Sequence, residues 1–226
     1  MEKSEQRKYI QNRKHWCWAA ACKIVGEQYQ RFHDEYKFDI REKNLSGCGY
    51  VTDYEYENGV ATDDLEGINW MLQGEKGIRV DAWQRAIVMN ANTAKYVGYD
   101  GDVDGDDEAK CRGIRYYLTG SIHSNSLKVE TLGFHDDPVS LFDKYGNRIM
   151  DSLNRNEYVI GNAVLGAGYH SFVILCIEEK TAMLYDPSNG EILYSDVKEV
   201  FESGFHSRGG VGVIKWVQRI VQPQIT

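Results

Sequence analysis

The sequence predicts an α+β protein in which helices come first and an antiparallel sheet follows. Two observations carry this. Before Asn156 the apolar residues recur at the three-to-four spacing of amphipathic helices. After it come short runs rich in Val, Ile, Tyr and Leu, split by Gly, Asn and charged turns, as in a stack of strands. A chain of 226 residues is long enough to bury a substantial core. The expected organisation is one domain over 1–226, with a helical lobe over about 1–156 and a β lobe over about 157–226.

The first helix is expected from about Cys17, because Trp18, Ala21, Cys22, Val25 and Tyr29 lie on one helical face. In "ATDDLEGINWMLQGEKG", Thr62 reads as an N-cap, two acids occupy the first turn, and Leu65, Ile68 and Leu72 share a face before a glycine stop. "DEAKCRGIRYYLTG" repeats the pattern through Cys111, Ile114 and Leu118. A further helix is expected to open on Asp137 as cap and Pro138 as first helical residue, with Phe142, Tyr145, Ile149 and Leu153 on its inner face. The strand-like runs are "EYVIGNAVLG", "YHSFVILCIEE", "TAMLYDP", "EILYSD" and "GVGVIKWVQRIV". Asn189 and Gly190 between two of them signal a hairpin. There is no internal repeat and no Pro- or Ser-rich linker.

Composition narrows the function classes. Hydrophobic residues make up 42% and charged residues 27%, with a formal net charge of -8, which argues against nucleic acid as the main partner. No apolar run is long enough for a membrane span. The lead "MEKSEQRKYIQNRKH" lacks the apolar core of a secretory signal, so a cytoplasmic location, or export without a cleavable signal peptide, is expected. Five cysteines at spacings that suit neither a disulfide framework nor zinc point to a reducing compartment.

The chemistry concentrates in "QNRKHWCWAAAC", residues 11 to 22. Taken alone, most cysteines are buried structural thiols. A thiol at a helix N-terminus is different, because unpaired N–H groups and the helix dipole favour the thiolate that nucleophilic chemistry needs. Cys17 is placed there, whereas Cys22, one turn on, faces the core. A nucleophile also needs a base. Of the six histidines, His170 alone heads an apolar strand, after the Gly-rich "LGAGY". The following strand ends in Asp186. Pairing through an "EEKT" turn would set Tyr169 and His170 beside Tyr185 and Asp186, giving the base its orienting acceptor.

These residues resemble the active-site segments of papain-like cysteine peptidases (clan CA), most closely bacterial effector-type members and a related bacterial peptidase group. In that family a Gln stands six positions before the Cys and a Trp follows it. Here these are Gln11, Cys17 and Trp18. The family's His and its Asn or Asp partner lie about sixteen apart, as His170 and Asp186 do. "HSFVIL" followed by "LYDPSNGEILYS" fits as well. The motifs occupy roughly thirty residues, and the stretch from Tyr29 to Asn156 does not align. The resemblance implies a papain-like fold, Cys17 as nucleophile, His170 as general base and acid, and Asp186 as its orienter. Gln11 and the Cys17 N–H would form the oxyanion hole, and Trp18 would be structural. It departs from the family in having only ten residues before Gln11, so no inhibitory propeptide is expected, and in using Asp where many members use Asn.

The implied activity is hydrolysis of a peptide or isopeptide bond in a specific protein or peptide, as a bacterial effector or toxin or a processing enzyme. No cofactor is expected, and an immunity or inhibitor protein is a possible partner. Acyl transfer or deamidation by the same triad, and a non-hydrolytic binding module on this fold, are the alternatives. The loop "DGDVDGDDE" sets Asp100, Asp102, Asp104 and Asp106 at the first positions of a calcium loop, but Cys111 stands where a bidentate Glu belongs. The plainer reading is a solvated acidic loop capping the next helix.

Overall fold

The computed structural model describes residues 9–11, 15–33, 36, 82–91, 107–166 and 168–221. Four α-helices are present in this set: α1 Cys17–Gln30, α2 Ala82–Ala91, α3 Asp107–Thr119 and α4 Leu141–Asn154. Seven strands accompany them: β1 Lys128–Gly133, β2 Val159–Leu165, β3 Gly168–Glu178, β4 Thr181–Asp186, β5 Glu191–Asp196, β6 Phe205–Ser207 and β7 Gly210–Val221. A short π-helical turn covers Glu199–Ser203. The class is α+β. The expected helix from Thr62, the acidic loop Asp100–Asp106 and Cys48 lie outside the described residues.

The strands form one antiparallel sheet in the order β1-β7-β2-β3-β4-β5, with β6 added to β7. The hairpin expected at Asn189–Gly190 joins β4 to β5. Gly190 has φ +77° there, which favours glycine, and the Asn189 side chain accepts the Glu191 N–H at 2.9 Å. One strand departs from the helices-then-sheet order. β1 precedes α4 in the chain yet pairs with β7, from Lys128↔Val221 to Gly133↔Trp216. Its signal was hidden in "LKVETLGF", where Glu130 and Thr131 break the alternation between Val129 and Leu132 and the run is short.

The helices cover both faces of the sheet. On one face α1, α2 and α3 pack through Trp18, Cys22, Val25, Tyr29, Ile87, Ile114 and Leu118 onto Val129, Ile160, Val173 and Ile220. On the other, α4 and the π-helical turn pack through Leu141, Ile149, Leu153, Val200 and Phe201 onto Val159, Phe172, Ile174, Leu184 and Val217. Sheet residues therefore alternate between two cores, which is why β2 and the centre of β3 read as nearly continuous apolar runs. The predicted inner faces of α1 and α3 are buried, but α1 is buried on its other sides too, at Ala19, Ala20, Lys23, Ile24 and Gly26.

The start of α4 differs from expectation. The helix opens at Leu141 with Ser140 in the N-cap position, three residues beyond Pro138. The Asp137 carboxylate accepts the Val139 N–H at 3.1 Å. That bond closes a side-chain turn two residues on, so Asp137 and Pro138 belong to the turn before the helix. Phe142 and Tyr145 do lie against the core that Ile149 and Leu153 help to build.

Candidate active site

The opening segment is anchored before α1 begins. The Gln11 N–H donates to the Pro187 carbonyl at 2.7 Å, and Gln84 of α2 donates to the Ile10 carbonyl at 2.9 Å. Trp16 is buried in the N-cap position, without a side-chain cap bond. From there "CWAAAC" propagates as helix, since alanine has the best helix propensity and Trp18 and the alanines are buried. Cys17 is thus the first residue of a helix whose first turn carries no acidic side chain. As a residue Cys17 keeps intermediate exposure, whereas Cys22 and Cys111 are buried.

β3 brings His170 to the same place. The strand starts at Gly168, its first two residues are exposed, and burial deepens from Ser171 onward. His170 sits where the strand enters the core, edge-on to Phe172 at a 4.6 Å ring separation. Asp186 ends β4. His170 Nε2 lies 2.7 Å from Asp186 Oδ1, and the same oxygen accepts the Ser188 N–H at 2.8 Å.

The register differs from the one expected. Tyr185 is opposite Val173, not Tyr169, and a bulge falls between Ile174 and Cys176. The turn is the tight Glu179–Lys180 pair, with Glu179 at φ 52°; a turn centred there already sets Tyr185 opposite Ile174, and the bulge moves it to Val173. His170 reaches Asp186 diagonally, past the last β3–β4 pair. Diagonal neighbours of this kind lie about 7–8 Å apart at Cα, within reach of an imidazole.

The three side chains form one chain of contacts. With Nε2 turned to Asp186, Nδ1 is the ring nitrogen left for Cys17. Burial pushes the Cys17 thiol up, but the hydrogen bond and charge of His170, a hydrogen bond from the Ser171 backbone N–H and the charge of Lys110 bring it below its ordinary value. Burial pulls His170 down, yet its bonds to Asp186 and Cys17 raise it to about 10. Asp186 is buried, which works against its charge, but His170 and the Ser188 N–H hold its carboxyl below the usual range. An imidazolium between a thiolate and a carboxylate satisfies all three shifts.

The other cysteines contrast with this one. Burial pushes the Cys22 thiol far up and Cys111 to about 11. Cys22 instead donates to the Lys110 carbonyl at 3.3 Å. Among the remaining histidines, His33 stacks on Tyr29 and His135 and His206 lie at the surface. Among the described residues no cluster of His, Cys, Asp or Glu could hold a metal ion.

The structure brings Cys17, His170 and Asp186 together and sets the Gln11 backbone beside the residue that follows Asp186. Two contributors escaped the reading of the sequence. One is the Ser171 N–H, a main-chain donor that no residue type announces. The other is Lys110, a buried lysine in the first turn of α3, whose Nζ lies 3.7 Å from Asp107 and 5.9 Å from the Trp216 ring centre. A lysine after two acids reads as an exposed helix residue, so only the packing of α3 on the sheet distinguishes it. Trp216 also meets Tyr169 and His135 edge-on at 5.4 and 6.3 Å, forming an aromatic flank next to His170. Comparisons with protein-family models, with curated proteins and with solved structures return no match.

Proposed function

We propose that the protein is a papain-like cysteine peptidase. The single observation that carries this reading is the continuous Cys17–His170–Asp186 contact chain, with the cysteine at a helix N-terminus. A structural thiol needs none of these partners. A nucleophile needs all of them.

In this reading the Cys17 thiolate attacks the carbonyl carbon of a peptide or isopeptide bond. The oxyanion that forms is held by the Cys17 N–H and the Gln11 side-chain amide. The bond to nitrogen breaks as the His170 imidazolium gives its proton to the departing amine, leaving a thioester. His170, now neutral, takes a proton from water as that water attacks the thioester, and the acid leaves with Cys17 restored. Asp186 keeps the imidazole in the orientation that serves both steps. The substrate is a specific protein or peptide, in keeping with an effector, toxin or processing enzyme, and an immunity or inhibitor protein would be its natural antagonist. Among the described residues no helix is long and apolar enough to cross a membrane.

The test is incubation of the native chain and Cys17→Ala with candidate proteomes, followed by labelling of new N-termini. New termini with the native chain alone support the proposal. Ammonia release from glutamine, or amide transfer without new termini, would move the reading to the deamidase and acyl-transfer class. The absence of any Cys17-dependent change would remove the enzymatic reading.

A further inference from the structure

A row of buried polar side chains crosses the sheet on the face that carries α1 and α3. Ser171 of β3 donates its hydroxyl to Asn162 Oδ1 at 2.9 Å. Asn162 of β2 donates from Nδ2 to Gln218 Oε1 at 2.7 Å and to the Trp216 carbonyl at 3.2 Å. Gln218 of β7 donates to Thr131 Oγ1 of β1 at 3.4 Å, and that hydroxyl meets Cys111 Sγ of α3 at 3.5 Å. Ser171, Asn162 and Gln218 are 3%, 1% and 0% exposed. Their neighbours on this face, Val173, Ile160 and Ile220, are apolar. Burying three polar side chains costs free energy that the mutual hydrogen bonds only offset. Apolar residues of similar size would satisfy packing alone, so the row calls for another role.

Its position supplies one. Ser171 directly follows His170, and its backbone N–H is directed at Cys17. That N–H is free for the sulfur because the β3–β4 pairing stops at Val173↔Tyr185. A strand residue whose N–H points away from its neighbour forms a non-hydrogen-bonded pair, in which the side chains come closest. Ser171 stands opposite Asn162 in the β2–β3 register, so an N–H turned to Cys17 makes theirs such a pair. The link between the strands at that level is therefore the hydroxyl–amide bond. Asn162 is in turn held at a second irregularity. The β2–β7 register shifts between Asn162 and Ala163, where Asn162↔Trp216 is followed by Ala163↔Ile214. Lys215 is thus the extra residue of a bulge, and the Asn162 amide bonds the Trp216 carbonyl beside it. Bulges of this kind re-aim side chains next to functional sites.

We infer that the Ser171–Asn162–Gln218 row is a positioning device: it fixes the β3 end so that the Ser171 N–H stays aimed at the Cys17 sulfur and His170 stays in line behind it. The inference rests on the reading of Cys17 as a nucleophile. The row touches no reacting atom and acts through the main chain of β3. The charged groups that face the sulfur are His170 from β3 and Lys110 from α3, with Asp186 of β4 behind the imidazole. None of these belongs to the row, so cutting it leaves the local charges in place and changes only their aim.

The experiment measures the pH dependence of Cys17 alkylation by iodoacetamide, followed by mass spectrometry of the whole chain, in wild type, Ser171→Ala and Gln218→Met. Thermal melting and circular dichroism are recorded for each. The expected result is an alkylation midpoint about one pH unit higher in Ser171→Ala, which means roughly tenfold less thiolate below the midpoint. A smaller shift in the same direction is expected in Gln218→Met, which cuts the row one residue further away and keeps the Asn162 bond to the Trp216 carbonyl. If Ser171→Ala does not fold, Gln218→Met carries the test. A folded variant with the wild-type midpoint overturns the positioning role and leaves the peptidase reading standing. A wild-type Cys17 that titrates like an ordinary thiol overturns both, because there is then no thiolate to position.

Discussion

Asp186→Asn probes the centre of the site with the smallest change of shape. Asp186 is 2% exposed, and its Oδ1 lies 2.7 Å from His170 Nε2. His170 is raised to about 10 from 6.5, against a burial effect that alone would lower it. Each pH unit corresponds to about 1.4 kcal/mol, so its partners hold the imidazolium by several kcal/mol. A hydrogen bond to a charged partner contributes about 1.5–3 kcal/mol. Replacing the carboxylate with a neutral amide should therefore lower the His170 midpoint by about one to two pH units. The sign for stability follows. The folded pKa of His170 is above its unfolded value, so its contribution is fully present below pH 6.5 and is lost as pH rises through about 10. Asp186 is depressed, so its own share is lost as pH falls through its folded value. The melting temperature of Asp186→Asn should then fall short of wild type most clearly near neutral pH, with the gap closing above pH 10. NMR titration of the His170 ring, paired with melting curves across pH, reads both effects. An unchanged His170 midpoint in a folded Asp186→Asn protein would refute the ion-pair reasoning.

Brief iodoacetamide treatment at neutral pH should label Cys17 first, because burial raises Cys22 and Cys111 while His170 lowers Cys17; early labelling of Cys111 with Cys17 inert would count against the site. Once a substrate is found, Cys17→Ala and His170→Ala should abolish turnover, since no other described group forms or resolves the thioester. Gln11→Ala should lower kcat about a hundred- to thousandfold, or about 2.7–4 kcal/mol, with KM little changed, as for loss of one oxyanion donor; full kcat would exclude Gln11 from that role. Asp186→Ala should be the mildest of the four in steady-state assays, because a helix-terminal thiolate needs less activation than a hydroxyl. Gly113→Ala should destabilise the fold by about 1–3 kcal/mol, since its new methyl would lie 2.8 Å from Cys22 Sγ and 3.0 Å from Ile87; denaturant melts measure this, and an unchanged midpoint would mean that α1 and α3 part more easily than their packing indicates.

The local features were legible in the sequence because they are local in cause. Both α1 and α3 follow from apolar residues at helical spacing, and Trp18, Cys22, Val25, Ile114 and Leu118 are buried, although the burial of α1 on its remaining sides was not signalled by that spacing. The Asn189–Gly190 turn follows from residues that tolerate positive φ. Cys17 at a helix start, His170 at the head of an apolar strand and Asp186 at the end of the next are local features, to which the resemblance to papain-like peptidases adds their spacing, and the structure brings those three side chains into contact. The start of α4 was misplaced because Asp137 could serve as a cap or as a turn former, and only the bond to Val139 decides between them.

What the chain alone could not specify depends on register and on which faces meet. A single bulge between Ile174 and Cys176, together with a two-residue turn, sets which residue stands opposite Tyr185. No residue type signals that offset, yet it determines that His170 meets Asp186 diagonally. β1 joins the sheet across α4, from a stretch with too few apolar residues to stand out. Lys110 becomes a buried charge near the sulfur only because α3 packs on Trp216. Asn162, Gln218 and Ser171 lie far apart in the chain and align only when β2, β3 and β7 are laid side by side. Periodicity and turn chemistry act over a few residues and are written in them, whereas the polar row and the aim of a main-chain N–H exist only once distant strands have paired.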